Sequence, residues 1–183
     1  MERVIGLTGK IGSGKGVISD YLRENYKASV YRFSKILEDL LTRLYISIER
    51  KNLQNLGISI RDSLGKNVLV NTLKKDIEND NNKIIVIDGI RYPNEVKMLR
   101  SFKNNLLLYV DAPDRIRYER CKKRGQRGES HITFKEFLRS ESKETEKYID
   151  KIKKQADFIL DNSGPKERLI EQLEEILNSH KNT

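Results

Sequence analysis

The stretch Gly9-Lys10-Ile11-Gly12-Ser13-Gly14-Lys15-Gly16-Val17 carries the residue types needed to hold a polyphosphate. Glycines permit the backbone angles that turn successive N–H groups toward one point, which makes a nest for an anion. An apolar run, Val4-Ile5-Gly6-Leu7, precedes the loop, and an amphipathic segment with Val17, Ile18, Tyr21 and Leu22 follows it. Strand, glycine-rich turn and helix is the context in which G-x-x-x-x-G-K reads as a phosphate loop. The helix start adds the positive end of its dipole, and Lys15 can reach the outer phosphates. No hydroxyl directly follows Lys15, where the residues are Gly16 and Val17. A metal ion there would lean on water, on the phosphates and on a carboxylate elsewhere. That arrangement suits Mg2+, which keeps several of its waters.

Phosphoryl transfer asks a protein for in-line positioning and for positive charge around the moving group. The remaining candidates are therefore cations and one carboxylate. Asp88 ends the β-branched run Lys83-Ile84-Ile85-Val86-Ile87, a place suited to a carboxylate that meets Mg2+ through water. Arg91 follows three residues later. Arg117, Arg120 and Arg124 recur at i, i+3 and i+7 and share one helix face. Arg127 stands in the polar loop after them, and Arg139 on the next helix. Cys121 lies among arginines with no histidine near it in sequence, so no nucleophile is expected there.

The end of the loop, Gly14-Lys15-Gly16, resembles adenylate kinase and its nucleoside monophosphate kinase relatives. The longer segment Gly6-Leu7-Thr8-Gly9-Lys10-Ile11-Gly12-Ser13-Gly14-Lys15 also resembles dephospho-CoA kinase. Asp88-Gly89-Ile90-Arg91 resembles the Asp-Gly-x-Pro-Arg segment of adenylate kinases, which implies that Arg91 holds the acceptor phosphate. A bidentate guanidinium suits that task. By the same resemblance Asn94 falls close to a glutamine that contacts the acceptor base. Arg32-Phe33-Ser34 sits where that family enters its acceptor-binding helices, and the segment from Gln54 to Arg61 resembles the one that follows. Arg61 is favoured over Arg32 for the acceptor phosphate. The resemblance makes 117–145 a short lid without zinc-binding cysteines, whose arginines Arg117, Arg120, Arg124, Arg127 and Arg139 clamp the phosphates on closure. It puts the adenine near Asn162, against backbone groups.

Apolar spacing supplies the elements that must position these groups. Strands are expected at 3–8, 28–33, 83–88, 106–111 and 157–160. Helices are expected at about 15–25, from Ser34 as cap through Leu44, at 50–56, 58–79, 93–101, 113–124 and 134–154, and after Pro165. Thr133-x-x-Glu136 is a capping-box signature. Strands alternating with helices imply a doubly wound α/β fold, with a five-stranded parallel sheet and helices on both faces. The loop, Asp88 and Asp111 all fall at the C-terminal ends of strands, where such sheets bind ligands. The whole chain, 1–183, reads as one P-loop kinase domain. Its core is about 1–33, 83–112 and 156–183, its acceptor-binding helices about 34–80 and its lid about 117–145.

The formal charge is +9 and one cysteine is present, so an internal disulfide is excluded and a polyanionic partner fits. Nucleotide substrates account for the charge better than nucleic acid does, because no aromatic-basic stacking motif is seen. No membrane span or secretory signal is read, and a cytoplasmic location is expected. These features together lead us to expect ATP-dependent phosphoryl transfer with Mg2+ onto a nucleoside or deoxynucleoside monophosphate. Dephospho-CoA is the alternative acceptor, and a nucleic-acid-binding ATPase the alternative of another class.

Overall fold

The computed structural model describes residues 2–125, 131–140 and 148–179. Five strands form one sheet in the order β2-β3-β1-β4-β5: β1 Arg3–Thr8, β2 Ser29–Tyr31, β3 Ile84–Asp88, β4 Asn105–Asp111 and β5 Phe158–Asp161. Every pairing is parallel. Leu7 stands opposite Asp88 on one side and Leu108 on the other, so the end of β1 is flanked by the ends of β3 and β4. The first strand runs up the middle and delivers the loop to the switch point of the sheet.

Side-chain alternation assigns each strand two faces. Val4, Ile85, Ile87 and Leu107 join one core cluster, while Ile5, Leu7, Val86, Leu106, Leu108 and Val110 join the other. The second cluster is closed by α1 (Lys15–Tyr26) and α9 (Lys166–Ser179) through Ile18, Leu22, Leu169, Leu173 and Leu177. The first is closed by α2 (Phe33–Arg43), α3 (Arg50–Leu64), α4 (Val68–Glu78) and α5 (Pro93–Arg100), with Leu37, Leu41, Leu73, Ile77 and Leu99 inward. Helix α6 spans Asp114–Arg124, α7 Phe134–Ser140 and α8 Ile149–Lys153. Tyr118, Cys121 and Phe137 pack α6 and α7 together, with Ile11 of the phosphate loop against them. No helix among the described residues is long and apolar enough to cross a membrane.

Two boundaries differ from the spacing-based expectation, and a third falls partly outside the described residues. The helices expected at 50–56 and 58–79 are instead α3 and α4, parted at Gly65-Lys66-Asn67. Gly65 has φ +102°, a conformation open to glycine and strained for other residues. Ser34 lies inside the first turn of α2 and does not cap it, since the N-cap residue is Arg32. The helix expected at 134–154 is described as α7 and α8, and its middle, 141–147, lies outside the described residues. The capping box before α7 is present: Thr133 N–H donates to Glu136 Oε2 at 2.7 Å, and Glu136 N–H to Thr133 Oγ1 at 3.3 Å.

Candidate active site

The phosphate loop is held from three sides. At Gly14, φ is +105°, and a Cβ there would collide with the amide of Asn162, so the position demands glycine. That amide donates to Ser13 O at 2.7 Å, and Asn162 is buried. The residue expected beside the adenine thus uses its side chain as a buttress for the loop. From below, Arg117 donates through Nη1 to Ile11 O at 3.0 Å, through Nε to Ala112 O at 3.1 Å and through Nη2 to Asp114 Oδ1 at 2.6 Å. Its side chain is only 1% exposed. The i, i+3, i+7 spacing put Arg117 on a lid face with Arg120 and Arg124. The structure corrects that placement, because the same helix packs Arg117 under the loop.

Lys15 curls over the loop it follows. Its Nζ donates to Gly9 O at 2.7 Å and Lys10 O at 3.1 Å. Burial pushes its ammonium down to about 7, and the charges of Arg91, Arg124 and Arg117 push the same way against Asp88. Three arginines thus act on one lysine, Arg91 from the turn after β3 and Arg117 and Arg124 from α6. Such crowding of like charge suits an anion-binding place better than a stretch built for its own stability.

The segment carrying Asp88 and Arg91 is tied directly to β1. Gly89 and Ile90 donate their N–H groups to Leu7 O at 3.0 and 2.9 Å, and the buried Thr8 hydroxyl donates to Ile90 O at 2.8 Å. Asp88 is nearly covered, and its Oδ2 receives Arg32 Nε at 2.8 Å. Among the described residues no three acidic, histidine or cysteine side chains gather as a metal cage. Asp88 alone, with nucleotide phosphates and water, fits the needs of Mg2+. Gly16 leaves its side open, since a Cβ there would meet nothing within 4 Å.

On the side of α6, Arg120 donates to Asn162 Oδ1 at 3.3 Å, while its Nη1 is buried without a hydrogen-bond partner. That nitrogen lies 4.0 Å from where a Gly14 Cβ would stand. A buried guanidinium donor left open beside the phosphate loop is costly, and a bound anion or base would satisfy it. Arg124 closes α6 on the same side, exposed, with Nη2 3.9 Å from Cys121 Sγ. Arg139 ends α7. Arg127 lies outside the described residues.

The acceptor-side candidates divide. Arg61 lies beside the Arg91 segment: its guanidinium sits 4.6 Å from the Tyr92 ring centre, its Nη1 donates to Gly57 O at 2.9 Å, and its Nη2 lies 3.8 Å from Glu95 Oε1. Asn94 turns instead to the α3–α4 connection, donating to Lys66 O at 2.9 Å and Asn67 Oδ1 at 3.0 Å. Gln54 sits in the first half of α3 and Ser34 at the start of α2. Sequence reasoning passed over Glu95, although Pro93-Asn94-Glu95 carries an acid in the first turn of its helix, a capping signal. It also gave Asp111 no partner, whereas Lys153 of α8 meets it at 2.6 Å.

The profile of the AAA domain family AAA_18 matches residues 5–148, a span that includes the loop, Asp88, Arg91 and α6. The UPF0200 protein of Pyrococcus horikoshii is 31% identical over 165 residues, covering 87% of this chain and 88% of that one. The chain belongs to the AAA domain family and to the UPF0200 proteins. A second UPF0200 protein, from Sulfurisphaera tokodaii, is 28% identical over 175 residues and covers 96% of both chains. Among solved structures, shikimate kinase from Acinetobacter baumannii in complex with shikimate superposes on this AAA domain with TM-score 0.61 at 15% identity, covering 99% of this chain and 96% of the other. At that identity the likeness is one of fold: this AAA domain has the architecture of a P-loop kinase.

Proposed function

We propose that this protein moves the γ-phosphoryl group of ATP onto a small phosphorylated acceptor, a nucleoside or deoxynucleoside monophosphate. The observation that carries the proposal is the open cation beside the loop: Arg120 keeps a buried Nη1 without a hydrogen-bond partner, while the charges of Arg91 and Arg124 act on Lys15. Two polyanionic substrates meeting end to end would supply the negative charge that balances this cluster. Donor phosphates lie in the loop over Lys15. The acceptor phosphate comes to Arg91, with α2, α3 and α4 as the acceptor-side lobe. Arg120 and Arg124 approach from α6, which is the root of the lid. Asp88, with the phosphates and water, would hold Mg2+, and the ion would neutralise charge on the donor phosphates.

The alternative acceptor is a hydroxyl, as in dephospho-CoA. Arg32 speaks against it. The resemblance to dephospho-CoA kinase implies a carboxylate base just after the second strand, and that place carries Arg32, whose Nε is engaged with Asp88. A phosphate acceptor needs no base. The test is ADP release from Mg·ATP with the common nucleoside and deoxynucleoside monophosphates, dephospho-CoA and shikimate offered one at a time. Stimulation by a monophosphate supports the proposal; stimulation by dephospho-CoA or shikimate alone overturns the acceptor class.

A further inference from the structure

Among the described residues, Glu95 is the one acidic side chain that is fully buried, at 2% exposure. Its Oε2 accepts the N–H of Arg91 at 2.7 Å and that of Tyr92 at 3.2 Å. Its Oε1 lies 3.8 Å from Arg61 Nη2. One carboxylate therefore grips the main chain beneath Arg91 and at the same time faces the guanidinium of Arg61. Arg61 is fixed twice more, by Gly57 O at 2.9 Å and by the Tyr92 ring at 4.6 Å.

The main chain at Arg91 is held from its other side as well. Ile90 N–H donates to Leu7 O at 2.9 Å, and Thr8 Oγ1 donates to Ile90 O at 2.8 Å. Arg91 thus leaves the backbone from a point pinned to the strand that delivers the phosphate loop. Capping α5 alone does not call for a buried glutamate. A serine or aspartate at the half-buried N-cap position, Tyr92, would satisfy helix donors without burying a charge as fully. The residue choice makes sense when the carboxylate serves two arginines that belong to different elements, α3 and the turn before α5.

We propose that Glu95 is a positioning residue that presets Arg61 and Arg91 as a pair for the acceptor phosphate. This rests on the kinase reading above. Glu95 touches neither substrate. It fixes the origin of one arginine through hydrogen bonds and the direction of the other through charge, so that the acceptor phosphate meets donors already in place.

The test uses Glu95→Gln, which keeps an oxygen for the two N–H groups and removes the charge facing Arg61, together with Glu95→Ala, Arg61→Gln and the double variant Arg61→Gln/Glu95→Gln. Kinetics are measured with whichever monophosphate of the panel stimulates ADP release most. Glu95→Gln is expected to raise the KM of that acceptor about tenfold while the KM for ATP changes less than about twofold. The double variant should be no worse than the worse single, because the pair is lost once. Wild-type acceptor KM in Glu95→Gln, equal rises in both KM values, or additive losses would each overturn the proposal. Amide hydrogen exchange at Arg91 and Tyr92 gives a readout that needs no acceptor. Protection should fall about tenfold or more in Glu95→Ala and be largely kept in Glu95→Gln. Unchanged protection in Glu95→Ala overturns the hold on Arg91. If no monophosphate stimulates ADP release, the kinase reading fails on that result, and the exchange measurement still decides whether Glu95 holds Arg91.

Discussion

Arg117 donates to the carbonyl of Ile11 at 3.0 Å from beneath the phosphate loop. With its other nitrogens on Ala112 O and Asp114 it forms a buried strut between the loop and the start of α6. Arg117→Ala should therefore cost stability, about 3 kcal/mol for a buried charged group with several hydrogen bonds. Arg124→Ala, on an exposed site of the same helix, should stay within about 0.5 kcal/mol. Denaturant unfolding of both variants checks this. Equal losses would mean that Arg117 is no strut.

Lys15 offers a proton count. Without nucleotide its ammonium is pushed down to about 7, so at pH 8 the side chain is mostly neutral. A bound polyphosphate favours the charged form and raises that value. Nucleotide binding at pH 8 should take up close to one proton, and the uptake should shrink by pH 6, where the lysine is already charged. Calorimetry in buffers of different ionisation enthalpy reads it directly. Absence of uptake in the wild type, or equal uptake in Lys15→Ala, would contradict the placement of phosphates over Lys15.

Glu95 predicts a pH signature in stability. Burial raises its carboxyl from 4.5 to about 7, against the pull of the Arg91 and Tyr92 N–H groups, Arg61 and Arg91. Below the unfolded value both states carry the proton, so nothing is lost. Above it the unfolded chain ionises first, and stability falls until the folded carboxyl ionises too, at about 7. Glu95→Gln lacks that step. Its stability relative to wild type should grow by about 3 kcal/mol between pH 4.5 and pH 8, since a tenfold change in proton affinity is worth about 1.4 kcal/mol. A difference that stays flat across that range would contradict the buried, raised carboxyl.

Gly16 predicts a gain. It is helical, and a side chain there meets nothing within 4 Å. Gly16→Ser should fold as well as wild type, and its hydroxyl would stand directly after Lys15, where it could join the Mg2+ shell. The Mg2+ concentration needed for half-maximal ADP release should fall several-fold. An unchanged or higher requirement would show that the ion does not approach this side of the loop.

The loop and the sheet were legible because their signals are local. Three of the strands are apolar runs with both faces buried, and the loop that ends in Gly14-Lys15 follows the first of them. What escaped depends on which face of a helix turns inward. Arg117, Arg120 and Arg124 share a spacing, yet Tyr118 and Cys121 pull their part of α6 against α7 and the loop, which buries Arg117 and leaves Arg124 outside. The break at Gly65 was masked because apolar residues keep helical spacing through it, while the left-handed angle is set by the turn. Asn94 was read for a base contact by resemblance. Its neighbour Glu95 matters more to the site, and only the folded chain shows that its carboxylate reaches both Arg91 N–H and Arg61.

Where the transferred phosphorus goes decides the reaction class. Phosphorus NMR of the wild-type protein with Mg·ATP and the stimulating monophosphate answers this in one spectrum series. Transfer to a monophosphate predicts a new phosphoanhydride, the diphosphate of the acceptor, growing in step with ADP and absent with Lys15→Ala. A phosphate ester on an acceptor hydroxyl, or orthophosphate alone, would contradict it.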